Sequence, residues 1–266
     1  MLLREYTVIV RRFILIFGQF SRDMIPGGRI ENTTRSRSFL FFSFGICAIS
    51  GMNGVNALQV PENGLIALNV PLDDLRVGSH STRTTHPFYM TLWNNVLNDL
   101  GFQLSLENPY WNKTKGEMAN ECLNKEFLFS IIADSNSCSS PQKARWQRTA
   151  SCHCGYCVPC IIRRAAMQRA FGVRNDNTKY LVNQVSDIIT NHAKRKGEQL
   201  RSFQIAIQRL KECPQLANIL IHKTGPLSDD ESYLCSLSNV YSRGLMEIDA
   251  FIVEELAREL RGNDGN

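Results

Sequence analysis

From Arg35 to Gly54 the chain reads RSRSFLFFSFGICAISGMNG. After its two arginines the run is apolar on nearly every side, which predicts a helix buried inside an α/β domain and stopped at Gly51 and Gly54. ALQVPENGLIALNVPL follows, from Ala57 to Leu72. It predicts a short strand before Pro61, a turn at Glu62, Asn63 and Gly64, and another apolar segment ending at Pro71. The stretch from Arg76 to Pro87, RVGSHSTRTTHP, has no apolar period and is dense in hydroxyl, basic and imidazole groups. It is expected to be a loop, of a chemistry that often holds ligands. Pro87 opens a helix through FYMTLWNNVLNDL, Gly101 suits its C-terminal cap, and GFQLSL reads as a following strand.

Thr114 and Glu117 in TKGEMANECL have capping-box spacing, so a further helix begins there. Beyond a cysteine-rich segment, CIIRRAAMQRAF predicts a basic helix closed by Gly172. From about Thr178 onward polar and apolar residues alternate at helical period, which predicts a second, all-helical region without repeats. At the N-terminus, MLLREYTVIVRRFILIFGQF resembles an anchor only superficially. Arg4, Glu5, Arg11 and Arg12 split it into apolar runs far below the roughly 20 residues a membrane span needs. A buried strand or helix, or a poorly defined segment, is the reading preferred to a membrane-surface helix.

Composition changes this picture in two ways. The 266 residues are 43% hydrophobic and 21% charged, enough for a globular protein of one or two domains with a sizeable core. A net charge of +5 and a pI near 8.7 permit contact with nucleotides or nucleic acid without pointing to it. There are nine cysteines and no pattern of a cleavable secretory signal. A reducing, cytoplasmic setting is therefore expected, with cysteines acting as metal ligands or buried thiols and not as a disulfide framework.

Four of the nine cluster. Cys138 is followed after fifteen residues by Cys154-Gly-Tyr-Cys157-Val-Pro-Cys160, two overlapping C-x-x-C turns plus one distant ligand. Tetrahedral zinc takes four thiolates at about 2.3 Å, and two cysteines separated by two residues chelate it through a tight turn that Gly155 helps to form. Four sulfurs leave no open position, so Zn2+ here is expected to staple the loop to the body and not to activate water. Buried or redox-active thiols are the alternative, and Cys152 or His153 stands close enough to replace the fourth ligand. Arg163 and Arg164, just beyond, face phosphate, RNA or solvent. Solvent is the default, and their adjacency implies that at most one serves a site.

Taken together, C-G-x-C-x-x-C with its following arginine and an upstream S-C resemble the 7-cyano-7-deazaguanine synthase family, QueC. RSFLFFSF (Arg37–Phe44) is similar to that family's R-N-[LF]-x-F-L helix. NPYWNKTKGE (Asn108–Glu117) is similar to its T-P-[LF]-x-x-x-x-K-x-E segment, which sets Lys115 and Glu117 on the family's Lys and Glu. TTRSRSFLFF, VPENGLIALNVPL, GSHSTRTTHP, TKGEM and CGYCVPCIIRRAA, in that order, resemble a QueC-like branch found in anti-phage defence. The resemblance covers Thr33 to Gly172 strongly and the helical tail loosely. It implies an adenine-nucleotide α-hydrolase, or PP-loop, fold: α/β, a parallel sheet flanked by helices, here with a zinc-stapled loop and an α-helical C-terminal region. The expected organisation is an unplaced segment over residues 1–32, the QueC-like domain over 33–172 and the helical region over 173–266. The family's S-G-G-x-D-S loop, which cradles ATP phosphates, is not in the sequence. SGMNGV (Ser50–Val55) and PGG (Pro26–Gly28) lack its aspartate and second serine. The expected PP-loop domain is therefore incomplete.

The resemblance implies ATP-dependent adenylation of a carboxylate on a 7-deazaguanine-type substrate, followed by amide and nitrile formation, with Mg2+ and basic residues stabilising phosphate charge. On that reading Arg35 and Arg37 face nucleotide, Lys115 lies near phosphate, and Glu117 orients it or holds Mg2+. Arg76, Ser81, Thr82, Arg83, Thr85 and His86 fall where the family binds the base, in a loop whose family version reads S-G-Y-P-D-C, so a different acyl acceptor, a protein amine included, is open. The alternatives are local: Glu117 caps its helix with Thr114, Arg35 is solvated, and His86 is a structural residue before proline. A second functional class is also open: a non-catalytic zinc-containing subunit or fragment with defence-system protein partners. A zinc-ribbon nucleic-acid binder ranks lowest, because three cysteines fall in seven residues and run straight into a helix. Neither nucleic acid nor membrane is an expected partner.

Overall fold

The computed structural model describes residues 37–73, 83–141, 152–173, 175–190 and 195–263. The expectations for residues 1–32, and for Arg35, Arg76, Ser81 and Thr82, lie outside them. The protein is mixed α/β and mostly helical, with one small two-stranded parallel sheet among the described residues. It divides into two compact units, Met1–Leu58 and Gln59–Asn266. No described helix is long and apolar enough to cross a membrane.

In the first unit, α1 (Arg37–Ser50) is the predicted helix. It is not buried all round. Phe42, Ile46 and Ile49 form one buried face at helical spacing, while Phe39 and Phe41 are 58% and 61% exposed. An unbroken apolar run carries no information about which face is covered, and a 14-residue helix covers only one. Arg37 is exposed at its first turn.

β1 (Ala57–Gln59) is the predicted strand before Pro61, and the Val60 N–H just beyond it donates to the Glu107 carbonyl. The expected turn at Glu62–Gly64 is instead the start of α2 (Gly64–Leu68). The Asn63 side chain accepts from the Ile66 N–H at 3.1 Å, the N-cap geometry that asparagine favours. Glu62 Oε1 in turn accepts from the Asn63 backbone and side-chain amides at 3.0 and 2.8 Å. α3 (Pro87–Asp99) begins with proline in its first turn, buries Met90, Trp93 and Leu97, and is followed by Gly101 at φ +75°, as expected. β2 (Ser105–Glu107) is shorter than the strand read from GFQLSL. Asn94 of α3 clasps it, accepting from the Leu106 N–H at 2.7 Å and donating to its carbonyl at 3.1 Å.

α4 (Lys115–Asn120) and α5 (Lys125–Ile132) lead to the cysteine segment. α6 (Val158–Phe171) follows it and closes at Gly172. The C-terminal helices are α7 (Val185–Thr190), α8 (Arg195–Glu212), α9 (Leu216–Leu220) and the 33-residue α10 (Glu231–Asn263), with a 3-10 turn at Ile221–Thr224. Before α7 the chain is irregular, and Tyr180 forms a parallel bridge with His153. Leu65 and Leu68 of α2, Ile161 of α6, Phe203 of α8 and Tyr241, Leu245 and Ile248 of α10 share one core. Residues on both sides of the expected boundary at 172/173 thus fold around the same apolar interior. Burying one such leucine or phenylalanine side chain contributes about 1.5–3 kcal/mol, so α6 and the helical tail stabilise each other.

Candidate metal centre

Cys138, Cys154, Cys157 and Cys160 are all buried, and their sulfurs lie within 4.8 Å of one another. Cys138 Sγ is 3.9 Å from Cys157 Sγ, and Cys154 Sγ is 3.9 Å from Cys160 Sγ. A tetrahedron of sulfurs about 2.3 Å from a zinc ion has edges of about 3.8 Å, so the spacing fits. Cys157 and Cys160 are set by the start of α6, where Pro159 stands in the first turn. Cys154 comes from the preceding turn, and the N–H groups of Ser140 and Cys154 both point at Cys138 Sγ at 3.4 Å. Such backbone donors hold a thiolate ligand in place.

Gly155 is required for the turn on two counts. Its φ of +87° is a left-handed conformation, and a Cβ there would lie 2.3 Å from the Val182 carbonyl. Behind it the loop is zipped to the chain before α7. The His153 N–H donates to Lys179 O, the Leu181 N–H to His153 O and the Val182 N–H to Cys154 O. The two candidate substitutes for the fourth ligand are not in the cluster. His153 Nε2 accepts from the Ser137 N–H at 3.2 Å, and Cys152 lies outside the sulfur group.

The sulfurs govern one another's ionisation. The Cys154 thiol bonds to Cys138 and draws it down to about 6, and bonding from Cys138 holds Cys157 well below the ordinary thiol range. Cys154 and Cys160 are pushed up, in each case chiefly by the bond with Cys138. Four thiolates this close repel unless a cation lies between them, and a divalent ion removes the conflict. The four residues therefore fit a metal ion such as zinc.

α6 runs on from Cys160 with every residue buried as far as Met167. Arg163 and Arg164 are 2% and 8% exposed, which corrects the expectation that they face solvent. The Arg163 guanidinium donates to Thr178 Oγ1 at 3.0 Å, Ser135 Oγ at 2.9 Å, Ser137 Oγ at 3.3 Å, and the carbonyls of Ser135 and Ile132. Arg164 donates to the carbonyls of Gly155, Val182 and Asn183 and lies over the Tyr180 and Phe251 rings, 4.9 and 5.5 Å from their centroids. The two side chains leave α6 in different directions, yet both reach the loops that frame the sulfurs.

A second cluster lies at the other end of α6. Thr114 and Glu117 form the predicted capping box. Glu117 also binds Arg243 Nε at 2.9 Å and Arg169 Nη2 at 3.4 Å. Glu247 of α10 accepts from Thr114 Oγ1 at 2.6 Å, the Gly116 N–H at 3.0 Å and Arg169 Nη1 at 2.9 Å. A Cβ on Gly116 would lie 2.5 Å from the Glu247 carboxylate, so T-K-G-E is a cap, a gap and a counter-ion in one segment. Burial raises the Glu117 carboxyl, but hydrogen bonds from Arg243 and the Thr114 N–H, with the charges of Arg243 and Arg169, bring it net below the ordinary range. Both of its oxygens are occupied, which leaves none for Mg2+.

His86 is buried as the N-cap of α3. Nδ1 accepts from the Phe88 N–H at 3.2 Å and Nε2 donates to Thr224 Oγ1 at 3.0 Å, an assignment that fixes the neutral tautomer. Burial, with a smaller contribution from Arg83, lowers its pKa to about 4. Thr85 is buried beside it and Arg83 is exposed, its carbonyl accepting from the His86 N–H. Lys115 is half-buried and, among the described residues, makes no hydrogen bond or ion pair. Burial lowers its amine, Glu62 partly offsets that, and Arg163 adds to it. The structure thus brings the four cysteines together and ties Glu117 to residues no local pattern indicated: Arg169, Arg243 and Glu247. Only the glycine of T-K-G-E, unusual inside a capped helix, hinted at a close neighbour.

No protein-family model, curated protein or solved structure matches the chain.

Proposed function

We propose that this chain is a zinc-stapled, non-catalytic member of the QueC-like PP-loop proteins. It resembles in particular the QueC-like protein of the Qat anti-phage system, QatC, and it presents its helical region to defence-system protein partners. The closed, buried four-sulfur centre rooted in α6 carries the zinc-stapled part of this reading. Zinc bound there cross-links the chain and has no position left for substrate or water. Glu117 and His86, two of the residues expected at a reaction site, are consumed by structural contacts, which supports the same reading. Purified chain should contain about one zinc per molecule and should support no ATP–pyrophosphate exchange, with or without 7-carboxy-7-deazaguanine. Exchange stimulated by that carboxylate would overturn it.

One observation favours the ligase reading as a second possibility. Lys115, on the family's lysine, is half-buried, and its amine has no hydrogen-bonded partner among the described residues, as a lysine awaiting a phosphate would be. On that reading ATP, Mg2+ and a deazaguanine-type or protein acyl acceptor are the ligands, and Lys115→Ala abolishes the exchange that wild type shows. The ion pairs of Glu117 with Arg169 and Arg243 favour a positioning role for it over that of a metal ligand.

A further inference from the structure

Arg163 and Arg164 pose a problem of charge. Guanidinium groups stay protonated in proteins, and a buried cation without a counter-charge is strongly destabilising. Yet among the described residues neither arginine makes an ion pair with a carboxylate. Among the described residues, every hydrogen bond from Arg163 goes to a neutral hydroxyl or carbonyl. The acids that favour Arg164's charge, Glu255 and Asp176, act on it from a distance and have closer partners: Asp176 accepts from the Tyr180 hydroxyl at 2.7 Å and the Thr178 N–H at 2.9 Å, and Glu255 pairs with Arg258. The source of negative charge on the same helix is the sulfur cluster, since Cys160 lies three and four residues before the two arginines, the spacing that brings helical side chains together. Arg164 also holds the carbonyl of Gly155, inside the C-G-Y-C turn, and Arg163 holds Ser135 and Ser137, just before Cys138.

A divalent ion with four thiolates carries a net charge of minus two, and two guanidiniums carry plus two. We propose that Arg163 and Arg164 are counter-charges of a dianionic metal–tetrathiolate centre. The inference rests on the metal reading of the cysteines and is independent of whether the chain is a ligase. It makes the arginines positioning and selectivity residues: they frame the loops and set which ionic charge the sulfurs prefer to hold.

The test uses the full chain loaded with cobalt, zinc or iron, as wild type, Arg163→Gln, Arg163→Lys and, as a control on the same helix, Arg169→Gln. Cobalt absorption reports whether four sulfurs still bind. Competition with a chromophoric chelator gives zinc affinity, and electrochemistry of the iron-loaded centre gives its Fe3+/Fe2+ midpoint. With the four-sulfur spectrum intact, Arg163→Gln should weaken zinc at least about tenfold and move the iron midpoint to lower potential, because losing a nearby positive charge favours the trivalent ion. Arg163→Lys, which keeps the charge and loses the guanidinium fork, should keep the wild-type midpoint, as should Arg169→Gln. If Arg163→Gln does not fold, Arg164→Gln carries the same comparison. An unchanged midpoint in the glutamine variant, or a lysine variant that shifts as far as glutamine, would overturn the proposal. A wild-type chain that takes up no cobalt would overturn the metal reading itself, and this inference with it.

Discussion

At the Phe171 end of α6, Arg169 meets Glu117 and Glu247, and with Arg243 the four charges cancel within the protein. At the Cys157 end, the described hydrogen bonds of Arg163 and Arg164 go to hydroxyls and carbonyls, on the helix that with its N-cap carries two of the four crowded sulfurs. The same helix therefore buries charge in two ways. One end is complete as soon as the chain folds. At the other, four sulfurs that fit a metal ion are crowded together, and a bound cation relieves their mutual repulsion. Stability at the first end is a property of sequence, and at the second it is linked to ligand concentration.

The comparison breaks most directly by taking the metal away. Structural zinc contributes about 10–16 kcal/mol of apparent binding energy in small zinc-folded peptides. Chelation, or Cys157→Ser, should therefore unfold Cys138–Gly172 first and lower the melting temperature by about 10 °C or more, read by circular dichroism with and without chelator. An unchanged melt in a metal-free chain would remove the contrast altogether. At the other end, Glu247→Ala strips Arg169, Thr114 Oγ1 and the Gly116 N–H of their acceptor. A loss of about 3 kcal/mol is expected in urea titration, below the full figure for a buried pair because Arg169 is reached by solvent. That loss should not depend on added zinc.

His86 sharpens the contrast with a third solution, a buried polar group kept neutral. Its pKa falls from 6.5 to about 4 on folding, so between those values the unfolded chain binds the extra proton and stability declines as pH drops. The contribution is fully present above the unfolded value and gone below the folded one. Between about pH 7 and about pH 5 wild type should lose about 2 kcal/mol that His86→Gln does not, measured by urea titration at both pH values. Smallest is Gly116→Ala. Crowding against Glu247 at about 2 kcal/mol, offset by alanine's helix preference of about 1 kcal/mol, leaves a net loss of about 1 kcal/mol. A larger loss that Glu247→Gln does not relieve would show that the gap serves something other than that carboxylate.

What could be read in advance was what the chain settles over a few residues. C-x-x-C turns chelate because their spacing is covalent, and Thr114 and Glu117 find each other because they are one turn apart. Asn63-Gly64 was ambiguous at that range, since the same pair suits a turn or an N-cap, and burial of Asn63 at the foot of α2 decided it. Glu247 was illegible because it lies 133 positions from Thr114, and nothing near it announces the contact. Arg163 and Arg164 were misread for a related reason. Adjacent arginines on a basic helix suit water unless the helix is surrounded, and only the fold shows α6 surrounded. The PP-loop sheet implied by resemblance has no local counterpart beyond β1 and β2 among the described residues.

The Gly155 turn also says how this sequence could drift. Its neighbour Tyr156 lies at the edge of the apolar interior, where another large apolar residue would serve. Position 155 has no such latitude: a side chain would strain the backbone and collide with the Val182 carbonyl, and the peptide it displaced is the one that receives Arg164. A single substitution there would disturb the chelating turn, the strand-like zipper behind it and the seat of one arginine together. Variation in C-G-Y-C should therefore accumulate at its third letter and stop at its second.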